Sequence, residues 1–332
     1  MSARGLAAGA ACLAGFAIVL GVARGMTPYD LDVATSLLLF VAVAQAWNIL
    51  AGFSRQFSLG ASAFVGAGAY TAASVSIHLE WSPVLMLLSA GVVAGVLALV
   101  LAGALLRLRE DYFTIGSLAA ALAVHAFVTN NQWLGGSAGL NLPFDNLPTP
   151  MGIFHMAAVC VLLCSLCTVW LMHSPTGLRM SAVGQHEDAA VTLGVSVRQL
   201  RLSAIVLSSV LTGLAGAVLA MQQVYVEPVG SLGISWTIAA VVITVVGGVG
   251  TFAGPFVGAV VIYLGLTKQL SEQPILGLVV EGVVLVAVVV LAPRGLWPTF
   301  VSMARHVAGR VTQRRAVSTV AHRDGDRSAA ST

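Results

Sequence analysis

Lysine is almost missing from this chain: its 332 residues contain only Lys268, followed by Gln269. A phosphate-binding loop of G-x4-G-K-S/T spacing needs a lysine directly before the Ser or Thr, so no such nucleotide site exists here. Charge of either sign is scarce at 9%, and aromatics reach only 7%. Soluble domains carry about 25% charged residues, and a chain this poor in charge does not make a water-facing surface. Cysteines number four. Cys12 stands alone, while Cys160, Cys164 and Cys167 share one helical face of an apolar run. Three thiols suit a soft metal. No carboxylate lies in that run to complete a set, and cysteine packs as a small hydrophobe, so no metal is expected. Two further motifs fail on inspection. His186-Glu187 begins an H-E-x-x-H match that Ala190 breaks. Gly135, Gly136, Ser137, Ala138 and Gly139 spell G-x-S-x-G, but a nucleophile elbow follows a strand and opens a helix, whereas here an apolar run ends and a Gly/Pro loop begins.

What the chain does have is apolar length. Hydrophobic residues make up 58%, the mean hydropathy is +0.94 and there are 35 glycines. Apolar runs of about 18–25 residues fit helices crossing a hydrocarbon core about 30 Å thick, where the backbone must satisfy its own hydrogen bonds. The expected fold is all-α: a polytopic membrane helix bundle in the lipid bilayer. Ten segments are read, at about 6–23, 33–51, 57–78, 83–106, 112–130, 151–172, 203–223, 235–249, 254–271 and 275–292. The first is too long for the h-region of a cleaved signal peptide and is expected to stay as a helix.

Threading these segments with both termini inside puts fourteen of the sixteen Lys and Arg residues on the cytoplasmic side, leaving Arg24 and Lys268 outside. That is the asymmetry of the positive-inside rule. Residues 1–300 then form one transmembrane domain with a cytoplasmic loop at 173–202, and 301–332 form a disordered basic tail. Because the net charge of +3 comes mostly from the last 40 residues, it gives no pointer to nucleic acid.

Two glycine-rich stretches stand out. VVITVVGGVGTFAGPFVGAVVIY, 241–263, is too long for one ordinary span and has five glycines and a proline. It reads either as broken, re-entrant backbone beside a cavity or as a short cytoplasmic turn between two helices. GFSRQFSLGASAFVGAGAY, 52–70, has the same character. Candidate pathway or gate residues are Asn48, Gln56, Ser58, Gly60 and Tyr70 around the second stretch, and Gly247, Gly248, Gly250, Thr251 and Gly254 in the first. Glu281, an ionisable group within the last span, joins them. His125 is expected to be structural, and Glu227 and Glu272 to be solvated.

The longest polar stretch, SPTGLRMSAVGQHEDAAVTLGVSVRQLR at 174–201, contains a short helix by its own chemistry. Glu187 and Asp188 suit a first turn, Ala189 and Ala190 propagate, and Gly194 stops it. The helix is expected over Gln185–Leu193, tied stiffly to two spans so that it can transmit a push.

Asp188, Ala189, Ala190 and Gly194 match the EAA-x3-G signature of ABC importer permeases, with Asp in place of Glu. Around it, SPTGLR at 174–179, EDAAVTLGV at 187–195, TGLAGAVLA at 212–220, VGGVGTFAGPFVGA at 246–259 and PRGLW at 293–297 resemble the branched-chain amino acid permease family. SLGASAF at 58–64, LRLREDYFTI at 106–115 and LGGSAGL at 134–140 fit as well, the last two resembling the longer of the family's paired subunits. The chain departs from the family at Ala61, where His is usual, at Arg55-Gln56, where Gly-Gln is usual, and at Val183–His186. The resemblance implies a non-enzymatic transport subunit in a bacterial inner (plasma) membrane. Its partners would be a second permease subunit, two cytoplasmic ABC ATPases that use ATP and Mg, and a periplasmic binding protein. No cofactor would be bound directly. ATPase coupling would fall to Gln185, His186, Glu187, Asp188, Ala189, Ala190 and Gly194. A secondary carrier working alone is the rival reading; the scarcity of titratable groups within the spans speaks against it.

Overall fold

Small residues line the closest helix crossings in this protein, and many large apolar side chains face outward. The computed structural model describes residues 3–108, 110–144, 147–192, 194–267, 274–291 and 295–303; most of the tail lies outside the described residues. Helices α1 (Ala3–Ala23), α2 (Pro28–Asn48), α3 (Ala61–Leu79), α4 (Pro83–Leu105), α5 (Glu110–Asn130) and α6 (Pro150–His173) come first. They are followed by α7 (Pro175–Gln185), α8 (Glu187–Thr192), α9 (Val197–Gln223), α10 (Pro228–Leu232), α11 (Ser235–Gly247), α12 (Gly254–Ala259) and α13 (Pro274–Leu291). Each of the ten apolar segments overlaps a helix, and among the described residues six helices are long and apolar enough to cross a membrane.

Helix starts follow local chemistry. Thr27 caps α2 in a reciprocal capping box with Asp30, with Pro28 at the first helical position. That is why α2 begins five residues before the expected 33. Thr149 caps α6 by accepting from the Gly152 N–H, again with a proline next.

The 27-residue α9 is the hub and the most buried of the candidate spans. It packs against α2, α3, α4 and α6. On α4, Ala90, Ala94, Ala98 and Ala102 are buried while Leu88, Val92, Val96, Leu99 and Val100 are exposed. The small stripe faces α9: a Cβ on Gly91 would sit 2.9 Å from Leu214 Cδ2. The crossing of α3 with α9 is closer still, because a Cβ on Gly68 would strike the Gly213 carbonyl and one on Gly216 the Val65 carbonyl. In lipid, apolar burial gives little drive for helices to associate, so close backbone approach at small residues is what joins them.

One feature falls outside an all-helical reading. The loop after α5 forms strand β1 (Leu140–Asn141), which pairs antiparallel with β2 (Tyr225–Val226) just after α9. Tyr225 donates its hydroxyl to the Ala138 carbonyl at 2.6 Å. This strand end of the bundle is opposite the loop end, which carries α7 and α8.

Candidate functional site

The polar stretch holds two helices rather than one. Ser174 accepts from the Gly177 N–H at 3.1 Å and Pro175 opens α7, which turns back so closely that Gly177 lies on the Leu171 carbonyl. Gln185 is the last residue of α7, not the first of the loop helix. His186 is extended, at φ −147 and ψ 93, and breaks the run, so α8 begins at Glu187. Leu193 lies outside the described residues, as do the side chains of Asp188 and Ala189. Ala190 is buried. Gly194 takes φ +78, and the chain closes with Gly194 N–H on the Val191 carbonyl at 2.9 Å and Val195 N–H on the Ala190 carbonyl at 3.1 Å. That is a left-handed C-terminal stop.

This unit bears on the bundle at α9 and at the turn Ser54–Arg55. α7 presents Gly184 to the turn Ser54–Arg55: a Cβ there would come within 3.0 Å of Arg55 Cγ and 3.1 Å of the Ser54 carbonyl carbon. The turn ends a π-helical stretch, Ile49–Phe53, that extends α2, and Ser54 locks it by donating its hydroxyl to the Leu50 carbonyl at 2.7 Å. Arg55, standing where the resembling family usually has Gly, adopts φ +50, a conformation glycine takes without the Cβ strain. A cavity of about 400 Å³ lies at this junction, bordered by Arg55, Gln56, Gly184, Glu187 and Arg201.

The same π-helical stretch touches the other glycine-rich segment. The Asn48 side chain spans it: Oδ1 accepts from the Gly250 N–H at 2.7 Å and Nδ2 donates to the Thr251 carbonyl at 2.9 Å. Gly52 lies against Gly250, where a Cβ would be 2.7 Å from its Cα. Residues 248–253 form a short turn between α11 and α12, which run side by side with Gly247 on the Gly254 carbonyl and Gly258 on the Ile243 carbonyl. Thr251 braces the turn, donating to the Gly248 carbonyl at 2.7 Å and accepting from the Gly254 N–H at 3.1 Å. Residues 241–263 thus fold as helices joined by a short turn, which protein groups on α2 hold. Helix α12 then continues as a π-helix over Val260–Thr267.

Ser58 and Gly60 sit in the segment between this π-helical stretch and α3. Side chains from two helices, α2 and α5, hold it. Trp47 donates to the Ser58 carbonyl at 2.8 Å, Thr114 to the Phe57 carbonyl at 2.8 Å, and Ser117 accepts from the Leu59 N–H at 2.8 Å. Gln56 is buried, with its Oε1 facing the Ser54 hydroxyl at 3.2 Å. Beside Ser58 and Gly60 remains a void of only about 20 Å³, room for about one water. Tyr70 is not part of this cluster: it is buried nine residues further along α3, about 13 Å by helical rise. The Glu281 side chain, Glu272 and Lys268 lie outside the described residues. His125 is half-buried on α5, and Glu227 is exposed before α10.

Sequence reasoning missed Gly184, Gly52, Trp47, Thr114 and Ser117 as site residues. Thr114 had a signal, since LRLREDYFTI was singled out, but nothing local says that it reaches a segment 57 positions away.

Ser137 lies in a one-turn helix that follows α5 and leads into a strand, the reverse of an elbow, and Asp145 lies outside the described residues. Cys164 donates to the Ala42 carbonyl at 3.6 Å, and among the described residues no group of three His, Cys, Asp or Glu could hold a metal.

A polytopic bundle with glycine turns and close small-residue crossings inside it, and a helical appendage bearing on it from one end, has the build of a membrane transport protein. The chain belongs to the family described as branched-chain amino acid transport system, permease component, which it matches over residues 30–289. It is similar to the high-affinity branched-chain amino acid transport system permease protein LivM of Escherichia coli, with 26% identity covering 83% of this chain and 71% of the relative. The autoinducer 2 import system permease protein LsrC of an Enterobacter species is 30% identical over 68% of this chain and 66% of its own length. A probable branched-chain amino acid transport permease protein LivH of Methanocaldococcus jannaschii is 27% identical over 48% of this chain and 54% of its own. The chain is thus a multi-pass membrane transport subunit and not an enzyme.

Proposed function

We propose that this chain is the membrane-spanning permease subunit of an ATP-driven importer for branched-chain or related small amino acids, in a bacterial inner membrane. It would cross about ten times with both termini inside and α7–α8 in the cytoplasm. A second permease subunit pairs with it, two cytoplasmic ABC ATPases supply the ATP and Mg chemistry, and an extracytoplasmic binding protein delivers substrate.

The observation that carries this reading is a continuous contact path. α8, the segment with the Asp188-Ala189-Ala190…Gly194 signature, is joined through α7 and Gly184 to the Ser54–Arg55 turn. That turn continues through the π-helical stretch and Asn48 to the Gly248–Ala253 turn. A push on α8 reaches Gly247, Gly248, Gly250, Thr251 and Gly254 within a few packed contacts, and the same turn adjoins Gln56, Ser58 and Gly60. These residues act as the gate, with Tyr70 and Glu281 further along the path. Ser58 and Gly60 beside a water-sized void fit an occluded stage of alternating access.

The test is coupling. In proteoliposomes holding the whole importer, Gly194→Val places a β-branched residue at φ +78, which strains the end of α8. ATP hydrolysis is expected to continue while uptake falls at least tenfold. Uptake that stays coupled to hydrolysis as in the unmodified protein rejects the reading.

A further inference from the structure

A second cavity of about 400 Å³ opens at the strand end, between α2, α9, α11 and the π-helical run after α12. Its volume lies in the range of small-molecule pockets, about 300–1,000 Å³. One wall is aromatic: Phe40 stacks on Trp236 with centroids 5.1 Å apart and packs on Tyr263 at 5.0 Å. The Trp236 N–H is held by the Gly230 carbonyl at 2.8 Å, which fixes its ring. The facing wall is polar. Gln222 Nε2, with two N–H donors, is shared among Asp32 Oδ1 at 2.7 Å, the Ser36 hydroxyl at 2.8 Å and the Asp32 carbonyl at 3.1 Å.

These groups select a charge. A carboxylate only accepts hydrogen bonds, and Gln222 occupies one of its oxygens, leaving the other to a ligand donor. Ring faces attract cations. Among the described residues no Lys or Arg lines the cavity. An ammonium is favoured and a carboxylate is repelled, while Leu219 offers an apolar surface beside the rings.

We propose that this cavity binds the protonated amino group of a small amine-bearing metabolite, with Asp32 as counter-charge and Phe40, Trp236 and Tyr263 as the wall for the ammonium and its apolar chain. The site deepens the transport reading and rests on it for direction of movement, not for binding.

Two sources share this chemistry, a free amine and an aminophospholipid headgroup, and the test separates them. Calorimetry on the purified full chain in detergent compares 3-methylbutylamine, leucine and 4-methylpentanoate. The amine and leucine are expected to bind, the carboxylic acid at least tenfold more weakly. Asp32→Asn keeps an acceptor for Gln222 and is expected to weaken amine binding at least tenfold. Phe40→Leu, on the other wall, is expected to weaken it several-fold and serves if the first variant does not fold. Competition by phosphatidylethanolamine with no binding of leucine assigns the site to the headgroup. Equal binding of amine and acid, no binding of any probe, or an Asp32→Asn variant with unchanged affinity overturns the proposal. Failure of the importer reading looks different: coupled uptake is absent while the purified chain still binds the amine.

Discussion

Glu187, the first residue of α8, and Arg201, near the start of α9, meet in an ion pair at 2.9 Å. The pair ties the signature-bearing helix to the central helix of the bundle, across fourteen residues of chain. Arg201 is 13% exposed and Glu187 41%, so the bond has one end in the protein and one in solvent. A force applied to α8 is therefore transmitted by a charge contact to α9 as well as by the packing of Gly184 on the Ser54–Arg55 turn.

Reversing either charge tests that strut. Because Glu187 is well exposed, breaking the pair is expected to change stability by no more than about 1 kcal/mol, yet Glu187→Arg and Arg201→Glu should each lower ATP-coupled uptake several-fold. The double exchange should recover part of it. Uptake measured beside thermal unfolding separates the two effects; single reversals that leave uptake intact argue that α9 receives nothing through this contact.

Asn48 is the clamp on the glycine turn. Asn48→Leu leaves the Gly250 N–H and Thr251 carbonyl without their partner, which costs about 1–3 kcal/mol for a buried group and less where water reaches it. A loss of about 2 kcal/mol in denaturant unfolding is expected. Asn48→Asp keeps the acceptor for Gly250, loses the donor to Thr251, and should fall between.

The α3–α9 crossing makes a paired prediction. Gly68→Ala drives a methyl into the Gly213 carbonyl and forces the two helices apart, an overpacking cost of about 1–3 kcal/mol or more. Gly103→Ala on α4 meets nothing within 4 Å and gains helix propensity of about 0.5–1 kcal/mol. The two variants should thus shift unfolding in opposite directions, and equal shifts would contradict the close crossing.

Gln45 is fully buried on α2, and neither amide atom has a hydrogen-bond partner among the described residues. Gln45→Leu removes two unsatisfied groups at similar volume and is expected to stabilise the protein by about 1–3 kcal/mol with uptake retained. A destabilised Gln45→Leu protein would mean that the amide has a partner in the assembled importer.

Much of the fold was legible because membrane helices declare themselves locally. Ten apolar runs led to helices, and Gly194 was readable as a stop because glycine alone takes φ +78 without strain. Local boundaries were less so. The box between Thr27 and Asp30 lengthened α2 beyond its apolar run, and Ser174-Pro175 began a helix in a stretch whose apolarity is low. The strands β1 and β2 were invisible, since two residues each carry no periodicity and their pairing depends on a partner some 85 positions away.

The sequence by itself determined that this is a lipid-embedded helical protein without a nucleotide-binding loop, and it singled out α8, the two glycine-rich stretches and the family signature. These are properties of composition and of residues a few positions apart, which chain connectivity alone brings together. The tertiary structure decided which of them touch. That Asn48 reaches Gly250 across 202 residues, that Gly184 rests on Arg55, and that Asp32 lines one cavity with aromatic rings from α2, α11 and the stretch after α12 all depend on how the helices cross. Those crossings are set by where small side chains let two backbones come together, and neither helix reveals its partner in its own sequence.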